Sequence, residues 1–567
     1  MFDLFANYAA RGFIILFANV SLCELPFMRR ISFPPFIGLI LLTLATAFLL
    51  FLSWTPQIFT ALGFIALVPL FFLSEKAQSQ NIFAGGYYFL SFFLFHLLAG
   101  WWMYSSTIVG SFMAHFFNAF IMMLVFLAWD RLKQNVNNVG LKELILVALW
   151  LGFELLQQHW DLAWPWFSLG NLWAAQPEWV QWYSFTGVAS GSLWVLVVNV
   201  LVYHFVKALI QKQTIKWLTM MGVTLVFIFV PILISKQIRH TNDHDRLLKV
   251  LIVQPNIHPQ KEKFAGLSAK VQVQRAIAIA KSNHFPKADL MVFPETMLVD
   301  AVDENNPELS VLLKMLRDSL IGEESTSLLS GAFSKRFNKW HSTDNEAVVY
   351  DSLPFVLYNS AFFIQEKSLQ MYHKQKLVPL VEKQPFQQWM RPLQKYVEQS
   401  GGFFGRYGTY NRQQYFTSKD STIIYPLICF ESVFSTDFSA SRNNKASLMV
   451  LITNDGWWSS SGGYVQHLAM ARLRAIETGL WVARCANTGV SAVIDPSGNI
   501  IQSAAYGHEA TLFAEIPLLK PDTFFVRYQK IIEMSPLFFL LITFLWATFD
   551  QHFWQKTYIY TNKKYRS

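Results

Sequence analysis

STIIYPLICFES (421–432) runs as a short apolar stretch from Ile423 to Ile428 and stops on Cys429, with Glu431 two positions further on. A short apolar run bounded by polar residues reads as a buried strand, and this one ends on a thiol. Outward from it, SLMVLITNDGWW (447–458) is a second strand. A helix is expected around 463–479, and WVARCANTGVSAVID (481–495) follows as a third apolar segment. Upstream, LLKVLIVQPNI (247–257) and ADLMVFPET (288–296) flank a helix expected at about 266–283. Strands alternating with helices predict an α/β layered domain. Such domains collect chemistry where apolar strands end in polar residues. Cys429 is one such place, Glu295 at the end of MVFPET is another, and Lys374 and Glu382 bracket MYHKQKLVPLVE (371–382) as a third.

This domain is only part of the chain. The 567 residues are 53% hydrophobic and 15% charged, against the roughly 25% charged of an ordinary soluble protein. That excludes a purely soluble enzyme, and the apolar richness excludes disorder. The charge is divided sharply: residues 1–235 hold 10 Lys/Arg and 8 Asp/Glu, and the remaining 332 residues hold 65 charges. A membrane block is joined to a domain long enough to bury a full core. The net charge of +9 forms no basic stripe that could track a phosphate backbone, so no nucleic-acid partner is expected. Three cysteines make no disulfide framework, no Cys/His cluster has metal spacing, and no Gly-rich phosphate loop appears. No metal or cofactor is therefore expected.

Membrane-spanning helices need about 20 mainly apolar residues. Candidates fall at 36–53, 57–74, 82–101, 108–129, 142–159, 188–209, 215–235 and 534–550, about eight in all. The 14 Lys/Arg that flank these spans all fall in alternate segments: before the first span, at Lys76, at 131–142, at 207–216 and in the tail after 550. The loops between carry none. By the positive-inside rule, both termini are cytoplasmic and the domain between spans seven and eight faces outward. The expected organisation is an N-terminal cytoplasmic or interfacial segment (1–35), a membrane domain (36–235), an outward α/β domain (247–520), a C-terminal span (534–550) and a basic cytoplasmic tail (551–567). Residues 12–28, interrupted by Glu24 and Pro26, read as an interfacial or partly inserted segment. The Trp-rich loop 160–187 reads as an interfacial aromatic belt, with a role in covering a lipid site as the sharper alternative. The segment 383–410, with four glycines among Phe386, Trp389, Phe403 and Phe404, reads as a mobile lid. His467 reads as a packed or surface histidine, Arg474 and Glu477 as a helix-surface pair, and Cys485 as a buried free thiol.

Cysteine, lysine and glutamate together suit acyl transfer. A thiol of ordinary pKa is only a few per cent thiolate at neutral pH and needs a base, and its tetrahedral adduct needs a cation or amide donors. FPET, YHKQKLVP and ICFES, in this order, resemble the signatures of the nitrilase (carbon-nitrogen hydrolase) superfamily. With seven spans before the domain and one after, the chain resembles the apolipoprotein N-acyltransferase family. SLGN (168–171), TNDGWW (453–458), QHLAMARLRAIETG (466–479) and ANTGVSAVIDPSG (486–498) agree with it. The resemblance implies a multi-span α-helical membrane protein carrying an αββα sandwich. It assigns Glu295 as general base, Lys374 as oxyanion stabiliser and Cys429 as nucleophile, with Glu382, Glu431 and Phe430 in support. VPLVE stands where the family often has VPFGE, and Phe430 where a tyrosine often follows the nucleophile. The implied reaction moves an acyl chain from a membrane phospholipid, typically phosphatidylethanolamine, through a Cys thioester to the α-amine of a diacylated apolipoprotein. The implied location is a bacterial inner membrane, with the domain on the periplasmic side. Two rivals are a membrane-tethered amidase using the same three residues with water, and a non-catalytic lipid- or lipoprotein-binding protein.

Overall fold

The computed structural model describes residues 35–564, apart from 56–58, 239–245, 283–287, 322–325, 338–347, 351–352, 387–388, 390, 394–395, 397–405, 410–414, 436–445 and 520–522. The segment 12–28 lies outside the described residues, as does much of 383–410.

Among the described residues the membrane part holds seven helices longer than ten residues: α1 (Pro35–Ser53), α2 (Val68–Ser79), α3 (Gly85–Ala99), α4 (Ile108–Leu132), α5 (Val139–His159), α6 (Val188–Ile210) and α7 (Thr214–Gln237). The last helical segment, α11 (Phe524–Lys564), is kinked at Tyr528, contains the expected span 534–550 and packs on α5. Six described segments are long and apolar enough to cross a membrane, and Gly85–Ala99 is a shorter apolar helix. α5 falls outside that set because every 18-residue window in it contains Lys142, Glu143 and Glu154. Glu154 is buried and accepts from Trp150 Nε1 (2.9 Å) and from the backbone N–H of Leu169 (2.8 Å). A carboxylate inside a bundle is retained only with such partners. The second expected span, 57–74, is displaced: a 3₁₀ turn occupies Thr60–Phe64 and the helix runs from Val68, with Pro69 in its first turn, where the missing N–H costs nothing.

The α/β domain is a sandwich of two sheets. Sheet one takes β1 (Leu247–Gln254), β2 (Leu290–Val292), β3 (Leu298–Asp303), β4 (Ser327–Phe337), β5 (Val348–Tyr350), β6 (Leu353–Ile364), β7 (Leu369–His373) and β14 (Ala510–Pro517). Its main order is β14-β1-β2-β4-β6-β5, with β3 on β4 and β7 on β6. Sheet two takes β8 (Phe416–Thr417), β9 (Ile423–Ile428), β10 (Leu448–Thr453), β11 (Val482–Ala486), β12 (Ala492–Ile494) and β13 (Ile500–Ser503), in the order β13-β12-β11-β10-β9-β8. β9, β10 and β11 are parallel neighbours, and β10 is buried along its whole length. Strands covered on both faces read as continuous apolar runs, which is why IIYPLI and LMVLIT stand out.

Val250, Ile252, Val292 and Phe363 of sheet one meet Ile424, Ile428, Val450 and Ile452 of sheet two in one core. Helices α8 (Ala269–Lys281) and α9 (Val311–Leu320) cover the far face of sheet one, through Val273, Ile277, Leu312 and Leu316. Helix α10 (Gly462–Thr478) and the start of α11 cover that of sheet two, through Ala471, Ala475, Phe525 and Val526. The layers are therefore α, β, β, α.

Two expectations about surface residues are corrected. Arg474 and Glu477 are not a surface pair: both side chains are buried, 3.0 Å apart, and Glu477 also accepts from the backbone N–H of Val188 at the first turn of α6 (3.0 Å) and from Ser435. The loop 160–187 is a surface belt only in part: Trp160, Trp164, Trp179 and Trp182 are half-buried. Trp166 and Trp173 are wholly buried, and Trp166 lies against Trp102, Trp458 and His467.

Candidate active site

Glu295 follows β2 in a turn where Thr296 takes φ 50°. The turn packs on Gly331 of β4 so closely that a Cβ there would stand 2.5 Å from Glu295 Cα and 2.5 Å from Thr296 N; only glycine permits that approach. On its other side, Lys263 Nζ donates to the Glu295 carbonyl (2.8 Å). Burial pushes Lys263 down to about 7, against the opposing pull of Glu295.

Lys374 follows β7, and its N–H donates to the carbonyl of Asn359 on β6 (2.8 Å). Its Nζ is buried 2.8 Å from Glu382 Oε1 and 3.3 Å from Glu295 Oε1. Asn359 Nδ2 donates to the same two oxygens, 2.8 Å from Glu295 Oε1 and 3.1 Å from Glu382 Oε1, so a lysine and an amide hold two carboxylates side by side. Burial alone would lower the Lys374 pKa. Glu382, then Glu295 and Cys429, outweigh it and hold it above the ordinary lysine value, so the ammonium persists.

Cys429 follows β9 as the first residue of a 3₁₀ turn, Cys429–Val433, with φ 51°. Burial raises its thiol well above the ordinary value, and the Glu295 carboxylate adds to the rise. Lys374 and a hydrogen bond with Thr453 oppose it. Burial thus favours the protonated thiol, and a thiol in this state would need a base before it could act as a nucleophile.

Glu382 and Glu431 play different parts. Glu382 pairs with Lys374 and its second oxygen accepts from the N–H of Val378 (2.8 Å). Glu431 accepts from the N–H of Ile428 (2.7 Å), the N–H of Gln375 (2.7 Å) and the Tyr372 hydroxyl (2.8 Å). It clamps the Lys374 loop to the Cys429 turn, and burial raises its pKa against those bonds. Phe430 stacks on Trp164 (5.3 Å between ring centroids).

A cavity of about 310 Å³ is lined by Glu295, Lys374, Glu382, Cys429 and Phe430 at one end. It continues between Trp102, Trp160, Trp164 and Trp166 to the α4 residues Gly110, Ser111, Ala114 and Asn118. Reading the chain missed Asn359, a polar residue inside the apolar run of β6. It also missed Lys263, whose burial no local pattern announces. Among the described residues no group of three or more His, Cys, Asp or Glu could hold a metal ion.

Fold and cavity together define a membrane-embedded protein of the carbon-nitrogen hydrolase class, whose site is walled partly by its own membrane helices. A carbon-nitrogen hydrolase family model matches residues 249–520, and a model of the apolipoprotein N-acyltransferase N-terminal domain matches 46–201. The chain belongs to the apolipoprotein N-acyltransferase family. It is 28% identical over 499 residues to the apolipoprotein N-acyltransferase of Chlorobaculum tepidum, covering 85% of this chain and 91% of that one. To that of Rickettsia typhi it is 28% identical over 411 residues, covering 70% and 75%.

Proposed function

We propose that this chain transfers a fatty acyl group from a membrane glycerophospholipid, phosphatidylethanolamine being the expected donor, to the α-amine of a diacylated apolipoprotein. The observation that carries this reading is the cavity joining Glu295, Lys374 and Cys429 to the first turns of the membrane helix α4. An enzyme that draws its acyl donor from a bilayer requires such a path, and an amidase acting on a soluble amide does not.

In the first step Glu295 takes the thiol proton as Cys429 Sγ bonds to the ester carbonyl carbon. Lys374 Nζ, positively charged and fixed by two carboxylates, stabilises the oxyanion. Collapse breaks the ester C–O bond, and the proton on Glu295 passes to the departing oxygen, leaving a thioester and a lysophospholipid. In the second step the acceptor amine attacks the thioester carbon, Glu295 takes its proton and returns it to the departing sulfur, and an amide forms. A covalent intermediate lets two bulky lipid substrates use one site in turn. The membrane is a bacterial inner membrane, the domain lies on its periplasmic side, and both termini are cytoplasmic.

Purified protein incubated with phospholipid and a diacylated lipopeptide is expected to yield triacylated peptide, and without peptide to carry a hydroxylamine-sensitive acyl group on Cys429. Release of free fatty acid with no peptide product would favour the hydrolase. Full activity in Cys429→Ala would overturn the mechanism.

A further inference from the structure

TNDGWW, QHLAMARLRAIETG and the WVARC strand contribute nothing to the mechanism above, yet the fold brings one polar residue from each into a single buried cluster behind Cys429. Asp455 lies just after β10, His467 on α10 and Arg484 on β11, and all three are fully buried. His467 Nδ1 is 2.9 Å from Asp455 Oδ1, and Arg484 Nη2 donates to Asp455 Oδ2 (2.7 Å). The other ring nitrogen, His467 Nε2, is 3.1 Å from the carbonyl oxygen of Cys429 and 2.9 Å from Ser432 Oγ, which itself donates to that carbonyl (2.9 Å).

The partners dictate where the protons lie. A backbone carbonyl accepts only, so Nε2–H donates to Cys429, while Nδ1 lies between Asp455 Oδ1 (2.9 Å) and Arg484 Nη2 (3.0 Å). The ring cannot swing away, because Trp166 stacks on it (5.7 Å, 23° between planes) and Trp458 meets it edge-on (5.4 Å, 87°). The cluster also reaches the strand beside Cys429: Thr453 Oγ1, on β10, donates to Asp455 Oδ1 (2.9 Å).

We infer that His467 is a positioning residue for the nucleophile: with Asp455 behind it, its Nε2–H, together with Ser432, grips the Cys429 carbonyl and holds that residue in its left-handed turn, so that Sγ points at the cavity. The φ of 51° at Cys429 is what needs holding, since a non-glycine residue is strained in the left-handed region. Side-chain hydrogen bonds to the carbonyl offset such a cost where local sequence cannot. A supporting group of this kind acts on rate, because displacement of a reacting atom by about 1 Å costs about 10²-fold.

The inference rests on Cys429 being the acyl-carrying nucleophile, and the experiment separates the two. Full-length wild type, His467→Leu and His467→Gln are mixed with phosphatidylethanolamine in detergent, and the rate constant and final amplitude of thioester formation on Cys429 are followed by mass spectrometry. His467→Leu is expected to slow the rate constant by about 10²-fold while reaching wild-type amplitude. His467→Gln, whose amide N–H replaces Nε2–H, is expected to recover most of the rate. A merely structural histidine would lower the amplitude, by unfolding a fraction of molecules, and leave the rate constant alone; that result overturns the inference, as does a glutamine variant no faster than the leucine one. If His467→Leu does not accumulate, Ser432→Ala removes the other donor to the same carbonyl and must slow acylation severalfold; a wild-type rate there overturns the inference. A wild type that never acylates Cys429 defeats the proposed function itself, and the positioning role with it.

Discussion

Glu295 and Lys374 owe their setting to neighbours that leave almost no slack. Gly331 admits the Glu295 turn at a distance no Cβ would tolerate. Gly331→Ala is therefore expected to push Glu295 off the Cys429 side of the cavity and slow thioester formation by about 10²-fold, while Cys429 remains present as a free thiol. Single-turnover acylation checks this, and a wild-type rate would mean that the turn moves without consequence. Lys374 has a different role, as the cation between two carboxylates. Lys374→Met should lower the acylation rate by roughly 10²–10³, the usual cost of losing an oxyanion donor. Glu382→Gln should lower it less, because Asn359 still reaches Glu295 (2.8 Å). The ratio of the two losses, from acylation rates at saturating phospholipid, checks the order.

Among the elements, α10 joins the two halves of the molecule. Its C-terminal turn places Glu477 against the N–H of Val188, the first residue of α6, where a helix N-terminus favours a carboxylate. Arg474, one turn back, balances that charge. Burial lowers the Arg474 pKa and raises that of Glu477, and each offsets the other's shift. Removing one member of such a pair leaves a buried charge alone, a loss of about 3–5 kcal/mol. Glu477→Leu should therefore destabilise the protein by about that much, and Arg474→Met with Glu477→Leu should recover a large part of it. Thermal unfolding in detergent of the two single variants and the double variant is the measurement. A double variant as unstable as the sum of the singles would show that the two residues act independently and are not an energetically coupled pair.

At the scale of the whole molecule, the cavity belongs to both halves. Gly110, Ser111 and Ala114 of α4 line it along with Cys429, so a bulky residue on α4 should obstruct the donor without touching the reacting groups. Ala114→Trp is expected to raise KM for phospholipid while leaving the iodoacetamide reactivity of Cys429 within about twofold of wild type, since deprotonation depends on groups in contact with the thiol. An unchanged KM would show that the acyl chain does not enter the bundle. Orientation is tested separately. The terminal segments and alternate short loops hold 14 basic residues and the short loops at 54–56, 102–107 and 160–187 none, so a reporter fused after Ser567 should be active only if it works in the cytoplasm.

What could be read directly from the chain was whatever depends on neighbours in sequence. Apolar runs of bilayer length exposed the helices, and six-residue runs such as IIYPLI and LMVLIT exposed the central strands, because both faces of those strands are buried and the signal is continuous. The polar residues that end those runs, Glu295, Lys374 and Cys429, were legible for the same reason. The weaker strands β4, β6 and β14 escaped, having one mixed face or a polar interior such as Asn359. Misreadings arose wherever burial depends on a distant partner. Arg474 and Glu477 have the i,i+3 spacing of a surface pair, and nothing local tells that α6, 289 positions away, closes over Glu477. The tryptophans of 160–187 have the composition of an interfacial belt, yet Trp166 is sealed by Gln466 (2.8 Å) and Trp458 from the other domain. His467 looked like any helix histidine until the fold set Asp455 on one nitrogen and the Cys429 carbonyl on the other. Local sequence determines which residues can end a strand or span a bilayer; only the tertiary structure decides which polar groups are buried together, because desolvation and its compensation depend on atoms that the chain brings together from far apart.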